Sequence, residues 1–292
     1  MFRGSLVALV TPMTESGELD HVAFGRLLDW QLRNGTDGVV IAGTTGESAT
    51  LSAVETVELL QIAVQRLSGR MPVIAGTGSN STAEAVDRTR SACELGVDGV
   101  LVVTPYYNRP PQEGLYRHFS VVADAASVPM ILYNVPSRTA CDLLPETVER
   151  LAGHPQIIGI KEASGSVERG TEILARCGDD FLLYSGDDAS CRDLIGIGAQ
   201  GVVTVTGNVA PKMMREMVEA ALAGERDRAR ELDDCLAGLH QALFVESNPI
   251  PAKFALERLG MIGPGIRLPL TWLADAHHET VLDAMRRAGV IE

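Results

Sequence analysis

Short apolar runs recur along the chain at a spacing of roughly thirty residues: Leu6–Val10, Val39–Ala42, Val73–Ala75, Val100–Val103, Met130–Tyr133, Ile157–Ile160, Phe181–Tyr184 and Val202–Val205. They are β-branched and nearly continuous rather than alternating, the pattern of strands buried on both faces of a parallel sheet. Between them the period changes to that of amphipathic helices with marked ends. Asp20 is placed to cap a helix over Val22–Arg33 that stops at Asn34-Gly35, and Ser52-Ala53-Val54-Glu55 and Ser81-Thr82-Ala83-Glu84 both have capping-box spacing. Pro145 sits where a first helical turn accepts proline. Eight alternations of strand and helix predict an α/β fold, the (β/α)8 TIM barrel, which takes roughly 250 residues as one unit. Beyond Pro211 only helical periodicity remains, in Met213–Ala223, Arg226–Phe244, Ala252–Leu259 and Thr271–Ala288. The expected organisation is a catalytic barrel over residues 1–210 and a C-terminal helical extension over 211–292. No Gly-, Ser- or Pro-rich linker separates them, so the extension is expected to pack on the barrel.

Composition narrows the possibilities. At 46% hydrophobic and 22% charged residues the chain has the make-up of an ordinary soluble α/β protein. No apolar run approaches the roughly 20 residues of a membrane span, and the first run breaks at Thr11-Pro12 without a signal-peptide cleavage site, so a cytoplasmic protein with no membrane partner is expected. The net charge of −13 gives no footprint for nucleic acid, and an anionic substrate would need its own local cation. The five cysteines, Cys93, Cys141, Cys177, Cys191 and Cys235, are odd in number and without a CxxC, which argues for reduced, structural thiols. No histidine pair has metal-binding spacing, so no metal is expected, and His277-His278 reads as solvated surface. Gly76-Thr77-Gly78 lacks the third glycine of a dinucleotide fingerprint, because Ser81 stands in its place.

One residue breaks the pattern. Of 25 basic residues only Lys161, Lys212 and Lys253 are lysines, and Lys161 ends the apolar run Ile157-Ile158-Gly159-Ile160. A parallel strand would carry its amine to the carboxyl-end mouth of the sheet, where a barrel keeps its chemistry. Burial disfavours the ammonium form, and a neutral amine can attack a ketone to form a Schiff base. A lysine that lays its stem on the core and snorkels its head to water would look the same locally. The other strand ends add further groups. Gly43-Thr44-Thr45-Gly46-Glu47-Ser48 sets two hydroxyls between glycines before a helix, a candidate anion site. Thr104-Pro105-Tyr106-Tyr107-Asn108-Arg109 offers paired tyrosines, and Tyr133-Asn134-Val135-Pro136-Ser137-Arg138 joins a possible proton shuttle to an arginine suited to a carboxylate. Asp187-Asp188 reads as a loop and helix cap.

Taken together, Gly43-Thr44-Thr45-Gly46-Glu47, Tyr133-Asn134-Val135-Pro136, Gly159-Ile160-Lys161-Glu162 and the turn Asn248-Pro249-Ile250-Pro251 resemble the dihydrodipicolinate synthases, within the pyruvate-dependent class I aldolases that also include the N-acetylneuraminate lyases. The resemblance runs over essentially the whole chain. It implies condensation of pyruvate with L-aspartate 4-semialdehyde in lysine biosynthesis, with pyruvate held as a Schiff base on Lys161 and no metal or organic cofactor. It assigns Tyr133, Thr44 and Tyr107 to proton transfer, Tyr107 reaching in from a neighbouring subunit of a homotetramer built as a dimer of dimers. Thr45 would hold the pyruvate carboxylate and Arg138 that of the semialdehyde, with Gly186 and Val203 lining the pocket. A site for free lysine as effector would match at Ser48, Ala49, Asn80, Glu84 and Tyr106, but Ala53 and Thr56 stand where sensitive members often carry histidines, so weak inhibition is expected. The alternative, another Schiff-base lyase such as N-acetylneuraminate lyase, shares the lysine and tyrosine but resembles a Gly-Ser-Thr-Gly-Glu pattern and has no comparable arginine. A non-catalytic barrel that senses a keto acid is a third reading.

Overall fold

The computed structural model describes residues 2–292. Eight parallel strands close into a barrel in sequence order: β1 (Gly4–Ala8), β2 (Gly38–Ile41), β3 (Val73–Gly76), β4 (Gly99–Val103), β5 (Met130–Asn134), β6 (Ile157–Glu162), β7 (Leu182–Ser185) and β8 (Gly201–Thr204). β8 returns to β1 with Gly4 opposite Gly201 and Leu6 opposite Val203. The expected runs are these strands, offset by one or two residues at their ends. Successive side chains point to opposite faces of a strand, and the two faces form separate cores. Leu6, Ala8, Val40, Ile74, Leu101, Ile131, Tyr133, Leu182, Tyr184 and Val203 pack inside the barrel. Val7, Val39, Val100, Met130 and Leu132 pack outward against the surrounding helices. Phe2 fills the amino end of the interior, where its carbonyl accepts a 2.7 Å hydrogen bond from the Tyr184 hydroxyl.

Asp20 accepts from Ala23 N at the start of His21–Arg33, and Gly35 beyond its end has φ of +78°. The Ser52 capping box is complete: Ser52 Oγ accepts from Glu55 N, and Glu55 Oε2 accepts from Ser52 N. The Ser81 box is half made. Ser81 Oγ accepts from Glu84 N, but the Glu84 carboxylate turns to Ser79 and Arg88 instead of reaching back. Pro211–Leu222 packs on β1 and β8, where an eighth barrel helix belongs, and Arg226–Ala242 packs on it in turn. The expected single helix over Thr271–Ala288 is shorter. It begins as a 3-10 turn at Asp275–His277 and runs on as His278–Arg287, because Trp272-Leu273-Ala274 stays non-helical with Leu273 buried as an anchor. His278 is accordingly no solvated surface residue: its ring stacks on Phe254 at 4.4 Å between centroids and its Nε2 lies 3.1 Å from Leu273 O. The five cysteines are unpaired, and among the described residues no helix is long and apolar enough to cross a membrane.

His118, in the helix Gln112–Ala125, is buried with Nδ1 3.0 Å from Thr82 Oγ1. Burial pushes its imidazole down from 6.5 to about 4. Between pH 7 and pH 5 the unfolded ring therefore takes up a proton that the folded ring refuses, and stability falls with pH. The site is expected to cost about 2 kcal/mol over that interval. Urea unfolding of His118→Gln at the two pH values should show a slope smaller by that amount; an unchanged slope overturns the assignment.

Candidate active site

The position of Lys161 depends on an irregularity between two strands. Met130 pairs with Ile157, but Ile131 pairs with Gly159, so Ile158 is an extra residue and the register shifts by one. Because a slip of one residue exchanges the faces of a strand, this bulge brings Lys161 rather than Ile160 opposite the inward-facing Tyr133. Ile160 instead packs outward. Lys161 is 5% exposed, and its Nζ lies 4.1 Å from the centre of the Tyr133 ring. That contact suits a cation over an aromatic face and sets the phenol beside the amine. Gly186, just beyond β7, makes room for the lysine stem: a methyl group there would stand 2.9 Å from Lys161 Cε and 2.6 Å from Ala163 Cβ. Its N–H donates to Glu162 O at 2.7 Å.

Glu162 faces the other way and braces the strand pair from behind. Its buried carboxylate accepts from Asn134 Nδ2 at 3.0 Å and from Ser164 N at 2.7 Å, and burial pushes its pKa up despite those bonds. Asn134 Nδ2 also donates to Asp142, which Arg169 holds with both guanidinium nitrogens at 2.7 and 2.9 Å. The strands that carry Lys161 and Tyr133 are thereby tied together on the side away from the cavity.

Lys161, Tyr133, Thr44 and Thr45 line one small cavity, floored by Ala8, Val40 and Leu101. Val203 is buried with Tyr133 in the same interior cluster. The Gly43–Ser48 segment does not open a helix as expected, since the next helix begins only at Ala53. Its Gly46, Glu47 and Ser48 N–H groups are taken by the carbonyls of Gly43 and Thr44. The Thr44 and Thr45 N–H groups are not engaged in this way, so they and the two hydroxyls are the donors this segment keeps. Thr45 is buried, with its Oγ1 accepting from Asn248 Nδ2 at 2.9 Å.

Outside this cavity a wider vestibule of about 360 Å³ is lined by Thr44, Ser48, Ala49, Tyr106, Arg138 and Asn248 among others. Arg138 lies on the short helix Pro136–Thr139, with its Nη2 3.5 Å from Asn248 O. Tyr107 is not brought to the site within this chain: its side chain is 88% exposed on a loop whose φ there is +74°. The five residues matched to an effector site are divided. Ser48, Ala49 and Tyr106 face the vestibule, Asn80 O accepts from Asn108 Nδ2, and Glu84 lines a separate cavity with Ala53 and Thr56. The Glu84 carboxyl is held below its ordinary range, first by the Ser79 hydroxyl at 2.6 Å and then by Arg88.

Sequence reasoning missed three supports of the site. Lys253, in the helix Ile250–Arg258, is fully buried and paired with the buried Glu47. Asn248, which the sequence places in a turn, contacts Thr45 through its side chain and Arg138 through its carbonyl. Asp187 does cap locally, accepting from Ser190 N, but Asp188 reaches across to accept from Val205 N and Thr206 N at 2.9 Å each. Among the described residues no three His, Cys, Asp or Glu side chains are grouped as a metal would need.

A closed (β/α)8 barrel with a lysine and a tyrosine on adjacent strands near its carboxyl-end mouth defines the class: a barrel lyase of the class I aldolase type. More narrowly, the chain belongs to the Dihydrodipicolinate synthetase family, matching its model over residues 1–288. It is 54% identical over 291 residues to the 4-hydroxy-tetrahydrodipicolinate synthase of Stutzerimonas stutzeri, with 100% of both chains covered. With that of Pseudomonas aeruginosa it shares 53% over 291 residues, again covering 100% of both. Among solved structures, the chloride-inhibited dihydrodipicolinate synthase of Acinetobacter baumannii complexed with pyruvate superposes with a TM-score of 0.98 at 46% identity, covering 100% of both chains.

Proposed function

We propose that this chain condenses pyruvate with L-aspartate 4-semialdehyde, the 4-hydroxy-tetrahydrodipicolinate synthase reaction of lysine biosynthesis. The observation that carries this reading is the Lys161 amine, buried against the Tyr133 ring in a cavity it shares with Thr44 and Thr45. Lys161 Nζ attacks C2 of pyruvate and water leaves, giving a protonated imine. That nitrogen draws electrons as the methyl carbon loses a proton, and the enamine formed adds to the semialdehyde carbonyl; the amine of the semialdehyde then attacks the imine carbon, closing the ring and expelling Lys161 Nζ. Tyr133, with Thr44 and Tyr107, moves the protons, and Thr45 holds the pyruvate carboxylate. The chemistry calls for no metal or organic cofactor. The active assembly is a homotetramer, a reading supported by Tyr107, whose side chain is 88% exposed and lies outside the cavity of its own chain; light scattering tests it.

The first experiment is pyruvate consumption with L-aspartate 4-semialdehyde, with N-acetylmannosamine, or with neither. Consumption with the semialdehyde alone is expected; consumption with the sugar alone gives the chain to the N-acetylneuraminate lyases. Arg138→Ala should raise the KM for the semialdehyde about 10- to 100-fold, the value of a charge-assisted carboxylate contact. Borohydride capture of pyruvate should be unaffected in that variant. Inhibition by free lysine is expected to be weak, because Ala53 and Thr56 supply no imidazole and Glu84 is already engaged. Half-inhibition below the millimolar range would overturn that expectation.

A further inference from the structure

From the hydrogen bond that crosses between the C-terminal extension and the β2 loop, we infer that Asn248 is a positioning residue that orients the Thr45 hydroxyl toward the pyruvate carboxylate; the inference rests on the function proposed above. Asn248 is 6% exposed and Thr45 is 2% exposed, so neither side chain has water as a ready alternative partner. Asn248 Nδ2 stands 2.9 Å from Thr45 Oγ1. A hydroxyl has one proton to give and lone pairs to receive. With the amide donating to one lone pair, the Thr45 proton must find a different acceptor, and the cavity that holds the Lys161 amine opens beside it. A carboxylate is an acceptor only. The amide thus fixes Thr45 as a donor before any substrate arrives, which removes a rotor that binding would otherwise have to freeze.

Two further observations separate this role from generic packing. The other amide atom, Asn248 Oδ1, is buried without a hydrogen-bond partner. That cost would be absent for an apolar side chain of similar shape, so the bond to Thr45 is what an amide contributes here. Asn248 also meets Arg138, but through its main-chain carbonyl, to which Arg138 Nη2 donates at 3.5 Å. The side chain therefore serves the pyruvate subsite while the backbone serves the semialdehyde subsite, and a side-chain substitution should divide the two.

Asn248→Asp keeps the shape and reverses the bond: the carboxylate accepts the Thr45 proton and turns the Thr45 lone pairs toward the substrate. The half-saturating concentration of pyruvate, in turnover and in borohydride capture on the intact protein, should rise about 10- to 100-fold, the range for a hydrogen bond to a charged group. In Asn248→Ala, which keeps the main-chain carbonyl and adds no charge beside Arg138, the KM for the semialdehyde should change less than about threefold. Asn248→Ala supplies the second variant should the aspartate fail to fold. Because the amide acts through the hydroxyl, Thr45→Val with Asn248→Ala should be no worse toward pyruvate than Thr45→Val alone. Capture in the wild type with an unaltered pyruvate dependence in both Asn248 variants, or effects of the two sites that simply multiply, would overturn the positioning role and leave the function standing. No capture in the wild type would overturn the function itself and the inference with it.

Discussion

Replacing Lys161 by alanine is expected to lower turnover on the order of 10⁴-fold or more, the scale on which loss of a nucleophile acts in other covalent enzymes, while the fold survives. The amine is the only group in its cavity able to form the imine: Tyr133, Thr44 and Thr45 offer hydroxyls, and the guanidinium of Arg138 is held outside in the vestibule. No carboxylate pairs with Lys161 among the described residues, so its removal strands no buried charge. Its stem passes beside Gly186 and Ala163 toward a cavity that is already open, which limits the cost of truncation to a shift of a few degrees in Tm. Lys161→Arg distinguishes nucleophile from charge, since a guanidinium keeps the cation over the Tyr133 ring but does not form an imine under these conditions. Both variants should lose borohydride-dependent addition of pyruvate, read by mass on the intact protein. Retained turnover in either one, or pyruvate trapped at a different lysine, would remove Lys161 from the mechanism. The chain makes that check clean, because Lys212 and Lys253 are the only competitors and Lys253 is buried in an ion pair.

Periodicity and end signals sufficed for the barrel because each strand and helix advertises itself over a few adjacent residues. The eight runs, the Asp20 cap and the Ser52 box all depend on neighbours in sequence, and each has its counterpart in the structure. What local pattern could not show is the bulge at Ile158. Ile157-Ile158-Gly159-Ile160 is apolar throughout, so nothing in it tells which residues face inward, and only pairing with β5 settles that Lys161 does. The Ser81 box failed for a related reason. Its spacing is right, but Ser79 and Arg88 compete for the same carboxylate.

The supports of the Gly43–Ser48 loop lie farther out of reach. Asn248 meets Thr45 across 203 positions and Lys253 meets Glu47 across 206. A usable signal existed for the second. Lys253 stands in the run Ile250-Pro251-Ala252-Lys253-Phe254-Ala255-Leu256, as foreign to its apolar setting as Lys161 is to its own. The reasoning applied to one of the scarce lysines would have flagged the other as buried and in need of an anion. It would not have named Glu47.

Lys253→Met should be the most damaging single change to stability, at about 3–5 kcal/mol, because it leaves the Glu47 carboxylate buried without its cation. Every residue from Ile250 to Leu256 is buried, Lys253 completely, and burial pushes its amine below the ordinary lysine range even with Glu47 opposing. Glu47 has one further support, the Arg267 N–H at 3.3 Å from Oε2, which cannot replace a full charge. Its backbone adds to the demand, since Glu47 holds φ of +57°, a region that costs a residue with a side chain about 1 kcal/mol or more. The pair thus holds the loop that carries Thr44 and Thr45 in a conformation it would otherwise relax from. A fall in Tm of about 10 °C is expected for a chain of this size, together with a higher KM for pyruvate. The double variant Glu47→Leu with Lys253→Met separates charge from packing: with both ions gone, most of the lost stability should return, because a matched apolar pair avoids the desolvation cost that the ions carry. The pyruvate KM should stay high in that double variant, since the φ at position 47 is then held by nothing specific. A Lys253→Met protein as stable as the wild type, or a double variant no more stable than the single, would show that the pair does not clamp the loop.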